Sequence, residues 1–203
     1  MRWILVLAVV SLSICLSYSQ EDQIVTNGSF EDGFKGWEQY VNAAASASFS
    51  LEKGGVDGAE CVFVDVKKIS GTNWHIGLTQ DSLTVKKTHT YTVAFFAKAK
   101  DKPKTVTVEV KRSPSQGEWE GITEKDILVT EDDWHEYYLT FTPNKDYDKT
   151  AFLGFWLGAD DTDIWIDFVR FYEGKYTPGK PQEEMAVDSE GKLPTTWGEI
   201  KGR

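Results

Sequence analysis

The feature that most restricts the fold is a two-residue rhythm. From residue 24 to about 174 the chain is a succession of short runs in which apolar and polar residues alternate, separated by clusters of Gly, Asn, Asp, Lys and Pro. In "KTVTVEVKR", Val106, Val108 and Val110 point one way while Thr105, Thr107, Glu109 and Lys111 point the other. Successive strand side chains leave on opposite faces, so such a run has one dry face and one wet face. The runs "ECVFVDVKKI", "NWHIGLTQ", "TYTVAFFAKA", "KDILVT", "WHEYYLTFTP", "TAFLGFWLG" and "DIWIDFVRFY" share this character, and nothing before residue 180 carries a convincing helical period. Many short strands bounded by turn formers predict an all-β domain of two antiparallel sheets packed face to face. No internal repeat is visible.

The two ends differ from this pattern. Residues 1–19, "MRWILVLAVVSLSICLSYS", begin with Arg2, continue through an apolar run and end in small residues at Ser17 and Ser19. They read as a secretory signal cut before Gln20, because the apolar core is Ser-interrupted and shorter than the roughly 20 residues of a membrane span. The residue before Cys15 is not the small one that a lipoprotein signal carries, so no lipid anchor is expected. The chain is then secreted, to the extracellular space or a periplasm, with Cys61 as its remaining cysteine and no intrachain disulfide. Cys61 is expected to be a small buried core residue. Residues 20–176 form the domain; 177–203, rich in Pro, Gly and charge, read as a linker and weakly ordered tail, through which Trp197 could meet its own domain or a protein partner.

The formal charge of −10 becomes −11 once Arg2 leaves with the signal. That balance argues against nucleic acid and anionic membranes as partners and leaves neutral ligands, of which sugars are the obvious soluble ones outside a cell.

Within "DIWIDFVRF", alternation gives Asp167 the parity of Trp165, Val169 and Phe171 and points it inward, where an unpaired carboxylate costs several kcal/mol. Something must neutralise it. At the other end of the domain, "NGSFEDGFKGW" (27–37) sets Glu31 directly after Phe30 and before the Gly33 turn. Two readings of Glu31 stand: a metal ligand, or a turn and salt-bridge residue. Asp32 is expected to shape the turn. Asn27-Gly28-Ser29 also matches a glycosylation acceptor, a pattern common by chance.

"NGSFEDGFKGW", "TYTVAFFAKA", "DDWHEYYLTFT" and "DIWIDFVRFYE" occur in the order seen in carbohydrate-binding modules of families four, nine and twenty-two, and the chain resembles that superfamily across roughly residues 24 to 174. The resemblance implies a galactose-binding-domain-like β-jelly roll that holds a β-linked polysaccharide, of β-glucan or xylan type, in a cleft on one sheet. It also implies a structural calcium ion, with Glu31 and Asp167 as ligands and the Glu52 to Asp57 loop, "EKGGVD", as a source of further oxygens.

Sugar rings present flat C–H faces, so aromatics on the wet face of a strand are the candidate contacts. Trp37, Tyr91, Phe95, Trp134 and Phe141 occupy positions that the family uses for its core. In "AFLGFWLG", Ala151, Leu153, Phe155 and Leu157 form the inward set, leaving Trp156 on the other face between Gly154 and Gly158, as an open stacking surface. Phe95 and Phe96 cannot both face the interior, which makes Phe96 an exposed candidate. Trp74 shares the parity of Ile76 and Leu78 yet matches a family position that sometimes binds ligand, so core and cleft readings are equal. Tyr40 and Trp119 are placed at the cleft's ends, with Glu109, Arg112 and Gln116 as partners for hydroxyls. Gly77 stands where the family often has a polar side chain.

No enzyme is expected. A glycosidase needs two carboxylates facing each other across a cleft. The Glu-x-Asp-x-x-Glu run of jelly-roll glucanases is missing, and Glu118, Glu120, Glu124 and Asp126 read as a solvated acidic loop. His75, His89 and His135 are scattered, without metal spacing. The rival reading is an extracellular structural or adhesive β-sandwich that binds protein rather than sugar. Covered rings on the wet face would favour it.

Overall fold

The computed structural model describes residues 22–56, 59–113, 120–131 and 133–179. Over these the chain forms β1 (Glu38–Val41), β2 (Ser46–Lys53), β3 (Glu60–Lys68), β4 (Ile76–Val85), β5 (Tyr91–Ala99), β6 (Lys104–Arg112), β7 (Gly121–Val129), β8 (His135–Phe141), β9 (Tyr147–Trp156) and β10 (Ile164–Glu173), with one 3₁₀ turn at Asn73–His75. They make two five-stranded antiparallel sheets, ordered β1-β4-β9-β6-β7 and β2-β3-β10-β5-β8. The expected β-sandwich is therefore present. Two strands absent from the runs read in the sequence, "EQYV" and "SASFSLEK", are β1 and β2, each at one edge of its sheet. β2 does alternate, with Ala47, Phe49 and Leu51 half-buried against the core and Ser46, Ser48 and Ser50 exposed, whereas β1 is exposed throughout.

The core lies between the sheets and follows the alternation. Val106, Val108 and Val110 of β6, Leu153 and Phe155 of β9, Val62 and Val64 of β3, Val93 and Phe95 of β5, and Ile164 and Ile166 of β10 are all fully buried. Trp37, Tyr91 and Phe141 join them as expected. Trp134 does not: it is half-buried on the outer side of the second sheet, its Nε1 donating to the Gly54 carbonyl at 3.3 Å and its ring lying under Lys98. It precedes β8 and so stands outside the strand parity that would have turned it inward. Cys61 is buried, but it alternates with inward Val62 and lies on the side of β3 away from the core, with Sγ 3.4 Å from the Glu52 carbonyl.

A β-bulge in β10 overturns the inward placement of Asp167. The register with β5 passes from Asp167 opposite Phe96 to Arg170 opposite Ala94, so one extra residue is inserted, and Phe168 adopts φ 47°. Before the bulge Ile164 and Ile166 face inward; after it Val169 and Phe171 do. Asp167 thus points away from the core, yet it is 1% exposed because the 54–56 segment covers it. Beyond the bulge the N-terminal segment lies along β10: Ile24 N donates to Phe171 O, and Val169 N to Gly28 O.

Asn27 organises the opening motif. Its Nδ2 donates to the carbonyls of Gly33 and Lys35, its Oδ1 accepts from Asp32 N, and its own carbonyl accepts Trp37 Nε1. With its amide spent on this turn, Asn27 is a structural residue. The Asp32 carboxylate forms an exposed pair with Lys35.

Past β10 the chain stays attached through Gly179. Glu136 of β8 accepts from Tyr176 Oη at 2.9 Å, Gly179 N at 2.8 Å and Arg170 Nη2 at 2.6 Å, while Tyr176 stacks on Tyr138 with centroids 3.7 Å apart. Residues 177–179, expected in the linker, belong to this strap. Residues 1–21, with the expected signal, and 180–203, with Trp197, lie outside the described residues.

Candidate functional site: a groove on the first sheet

Cross-strand pairs share a face, so the register lays out the wet side of the first sheet in rows. One row reads Tyr40, Gly77, Trp156, Thr107, Asp126, from β1 through β4, β9 and β6 to β7; the next reads Glu38, Thr79, Gly154, Glu109, Glu124. Over them lies a groove of about 470 Å³ lined by Asn73, Trp74, Glu109, Lys111, Glu124 and Trp156. Glu124 and Asp126 are therefore strand residues on the wet face of β7, where a loop was expected, and Glu124 lines the groove.

Trp156 is the floor. Its indole lies flat on the sheet because Gly77 and Gly154 leave room: a Cβ on either would come within 2.6 to 2.9 Å of ring carbons. That explains why a polar side chain is missing at Gly77. The indole Nε1 donates to Glu109 Oε2 at 2.7 Å, Lys111 Nζ sits 4.7 Å from the ring centroid, and Phe152 lies near-parallel at 5.8 Å. Lys111 in turn pairs with Glu109 at 2.7 Å. The ring is 7% exposed, so the open stacking surface expected here is already covered by protein.

Two other rings are open. Trp74 is 46% and Tyr40 40% exposed, with centroids 6.4 Å apart and planes 22° from parallel. The 3₁₀ turn explains why strand parity failed for Trp74: the residue sits before β4 begins and turns out over the groove. This turn is held firmly. Gly158 N donates to Asn73 O at 2.8 Å, and a Cβ on Gly158 would lie 2.8 Å from the carbonyls of Thr72 and Asn73. Asn73 Nδ2 donates to Thr107 Oγ1, which donates to Asp126 Oδ1 at 2.6 Å, tying the turn across the sheet to β7. The Trp74 ring stands edge-on against His75, whose Nδ1 is 2.6 Å from Ser70 Oγ.

A family model described as a carbohydrate binding domain matches residues 22–162. This chain belongs to that family. Its fold is similar to a structure described as CBM4, at 23% identity and TM-score 0.59 over 74% of this chain and 99% of that one. It is likewise similar to the N-terminal cellulose-binding domain of a Cellulomonas fimi β-1,4-glucanase (19%, TM-score 0.54, 75% and 98%) and to a xylan-binding domain from Paenibacillus barcinonensis (16%, TM-score 0.51, 77% and 97%). No curated protein matches. Membership makes sugar the partner of the domain, and the domain itself a binding rather than a catalytic unit. Among the described residues no helix is long and apolar enough to cross a membrane.

Of the other carbohydrate-binding domain positions singled out in the sequence, Glu109 lies in the groove and Phe96 and Arg112 do not. Phe96 is on the outer face of the second sheet against Phe168, 6.1 Å away, so its exposure serves the wrong sheet. Arg112 has the parity of Val110 and pairs with buried Ala151, which turns it toward the end of the sandwich. There it helps Lys145 and Tyr147 hold the Glu120 carboxyl below its ordinary range, the Lys145 hydrogen bond being the chief cause. Trp119 and Gln116 lie outside the described residues. Asn73, Lys111 and Glu124 were not singled out: alternation puts Lys111 on the wet face with Glu109, but only the β6–β7 register brings Glu124 beside them and only the 3₁₀ turn brings Asn73.

Glu31 and Asp167 do approach a common loop. Asp167 Oδ2 accepts from Val56 N at 2.8 Å and Oδ1 from Phe168 N at 2.6 Å, while Glu31 Oε1 accepts from Glu60 N at 3.2 Å. Gly55 lies against Asp167 and the Glu60 main chain: a Cβ there would be 2.5 Å from Asp167 Oδ2 and 2.8 Å from the Glu60 carbonyl. Among the described residues no cluster of three or more His, Cys, Asp or Glu side chains forms a metal site. Two carboxylates are oxygen donors of the kind that suits calcium, and in this structure both accept main-chain N–H groups.

Proposed function

We propose that this chain is a secreted module that binds a β-linked polysaccharide of β-glucan or xylan type in the groove of the first sheet and does not cleave it. The observation that carries the reading is the pair of open, near-parallel rings, Tyr40 and Trp74, beside a groove floored by Trp156 and edged by polar side chains. Sugar C–H faces lie on such rings while Asn73, Glu109 and Glu124 accept or donate to hydroxyls. The cellulose-binding and xylan-binding neighbours support the choice of chain type. Glu109 and Glu124 stand opposite each other across β6 and β7, but Glu109 is fixed by Trp156 and Lys111, which suits a stationary acceptor.

The test is affinity electrophoresis and calorimetry against soluble glucans, xylan and mannan. The chain is retarded by a glucan or xylan, and Trp74→Ala weakens binding about tenfold or more, or about 1.4 kcal/mol. Unchanged retardation in Trp74→Ala, or none in the wild type, overturns the reading and favours a protein-binding sandwich.

A calcium ion held by Glu31, Asp167 and main-chain oxygens of the Gly55 and Glu60 region completes the proposal. It would pin the N-terminal motif to the β2–β3 loop and β10. A chelator should lower the melting temperature of the wild type by several degrees and have little effect on Glu31→Gln or Asp167→Asn. An equal drop in all three removes these residues as ligands.

A further inference from the structure

The charges of the groove go beyond the backbone type of the polysaccharide and bear on its substituents. This step rests on the sugar-binding reading above. Glu109 of β6 stands directly opposite Glu124 of β7, and Asp126 follows on the same wet face, opposite Thr107. Like charges facing each other across two strands work against the fold. The counter-charge on the face, Lys111, is buried in the floor, paired with Glu109 and lying over the Trp156 ring. Glu124 is exposed and is a wall of the groove. Lys125, between the two acids in sequence, has the opposite parity and donates to the Tyr138 carbonyl at the second sheet. A groove with low-dielectric walls concentrates the field of its charged residues, and the whole chain, at −10, adds to it.

We propose that the groove selects glycans by charge: chains bearing ammonium groups bind best, neutral chains next, and uronate-bearing chains are turned away, with Glu124 as the specificity-determining residue. A ligand carboxylate entering beside Trp74 meets Glu109 and Glu124, and among the described residues the cation that lines the groove, Lys111, is already paired with Glu109. An ammonium meets two carboxylates and the open indole face, both of which attract cations.

The experiment measures affinity for matched ligands on two backbones. On the β-1,4-glucan backbone these are cello-oligosaccharide, its C6-carboxylate form and the glucosamine oligomer of equal length; on the xylan backbone, a linear and a glucuronate-substituted oligosaccharide. Titrations run at about 10 mM and about 1 M salt, because screening separates charge from shape. On whichever backbone binds, the carboxylate form is weaker than the neutral one by about fivefold or more at low salt, and the glucosamine oligomer is tighter than the neutral glucan. Both gaps shrink to within about twofold at high salt and in Glu124→Gln, an exposed and isosteric change. Equal or tighter binding of the carboxylate form, or a gap that survives both high salt and Glu124→Gln, overturns the charge filter and leaves sugar binding intact. Failure of every ligand at both salt concentrations brings down the sugar-binding reading itself.

Discussion

Both outer faces of the sandwich carry aromatic rings, and the two differ in what those rings touch. On the second sheet Phe63, Trp165, Lys98 and Trp134 form a stack. Phe63 and Trp165 lie 4.7 Å apart at 29°, and Lys98 Nζ is 5.3 Å from one indole and 4.9 Å from the other. Their N–H groups are spent as well, Trp165 on Glu52 at 2.8 Å and Trp134 on the Gly54 carbonyl. On the first sheet Tyr40 and Trp74 keep open surface above a groove. An aromatic on a wet face is thus no marker of a sugar site; a ring face without a protein neighbour is. Trp156 is instructive because it lies in the groove but is engaged like the rings of the other sheet, beneath Lys111.

That contrast can be broken by substitution. The largest effect is expected for Trp156→Ala, which empties the floor and should cost about 3 kcal/mol in urea unfolding. A merely decorative ring would leave stability unchanged. Trp165→Ala should follow at about 1 to 2 kcal/mol, from lost stacking and a stranded Glu52, with glycan affinity equal to the wild type. Trp74→Ala should invert this pattern, losing affinity with a melting temperature within about two degrees of wild type. If Trp165→Ala weakens glycan binding more than Trp74→Ala, the assignment of faces is reversed.

The smallest effect concerns the strap. Burial first, and then the hydrogen bond to Glu136, push the Tyr176 hydroxyl up to about 12 from its ordinary 10. A raised folded-state value stabilises the neutral form, so the strap's contribution is whole below about pH 10 and is lost as pH rises through about 12. Tyr176→Phe should remove that alkaline dependence, seen as tyrosinate absorbance together with melting temperature. An unchanged profile would detach Tyr176 from the strap's stability.

Much of this architecture is legible as alternation. Val106, Val108 and Val110 against Thr107, Glu109 and Lys111 give both the sheet and its wet face, and the split of "AFLGFW" into inward and outward sets holds in the structure. Three things are not legible there. Parity breaks wherever the backbone inserts a residue, as at Phe168, which turns Asp167 to the other side of β10. It does not apply before a strand begins, so Trp74 and Trp134 follow their turns. And it is silent on which strands are neighbours: Glu109 and Glu124 are fifteen residues apart in sequence and face each other only through the β6–β7 register. The three ion pairs Lys100 to Asp163, Lys102 to Asp161 and Lys104 to Asp160, which join the β5–β6 turn to the β9–β10 connection, are hidden for the same reason.

The most direct test uses the indole N–H resonances of the domain's tryptophans as reporters of which face meets a glycan. With signals assigned by single substitution, titration with a bound glucan or xylan oligosaccharide should shift Trp74 and, through the floor, Trp156, while Trp134 and Trp165 stay in place. Shifts confined to Trp134 and Trp165 would contradict the account.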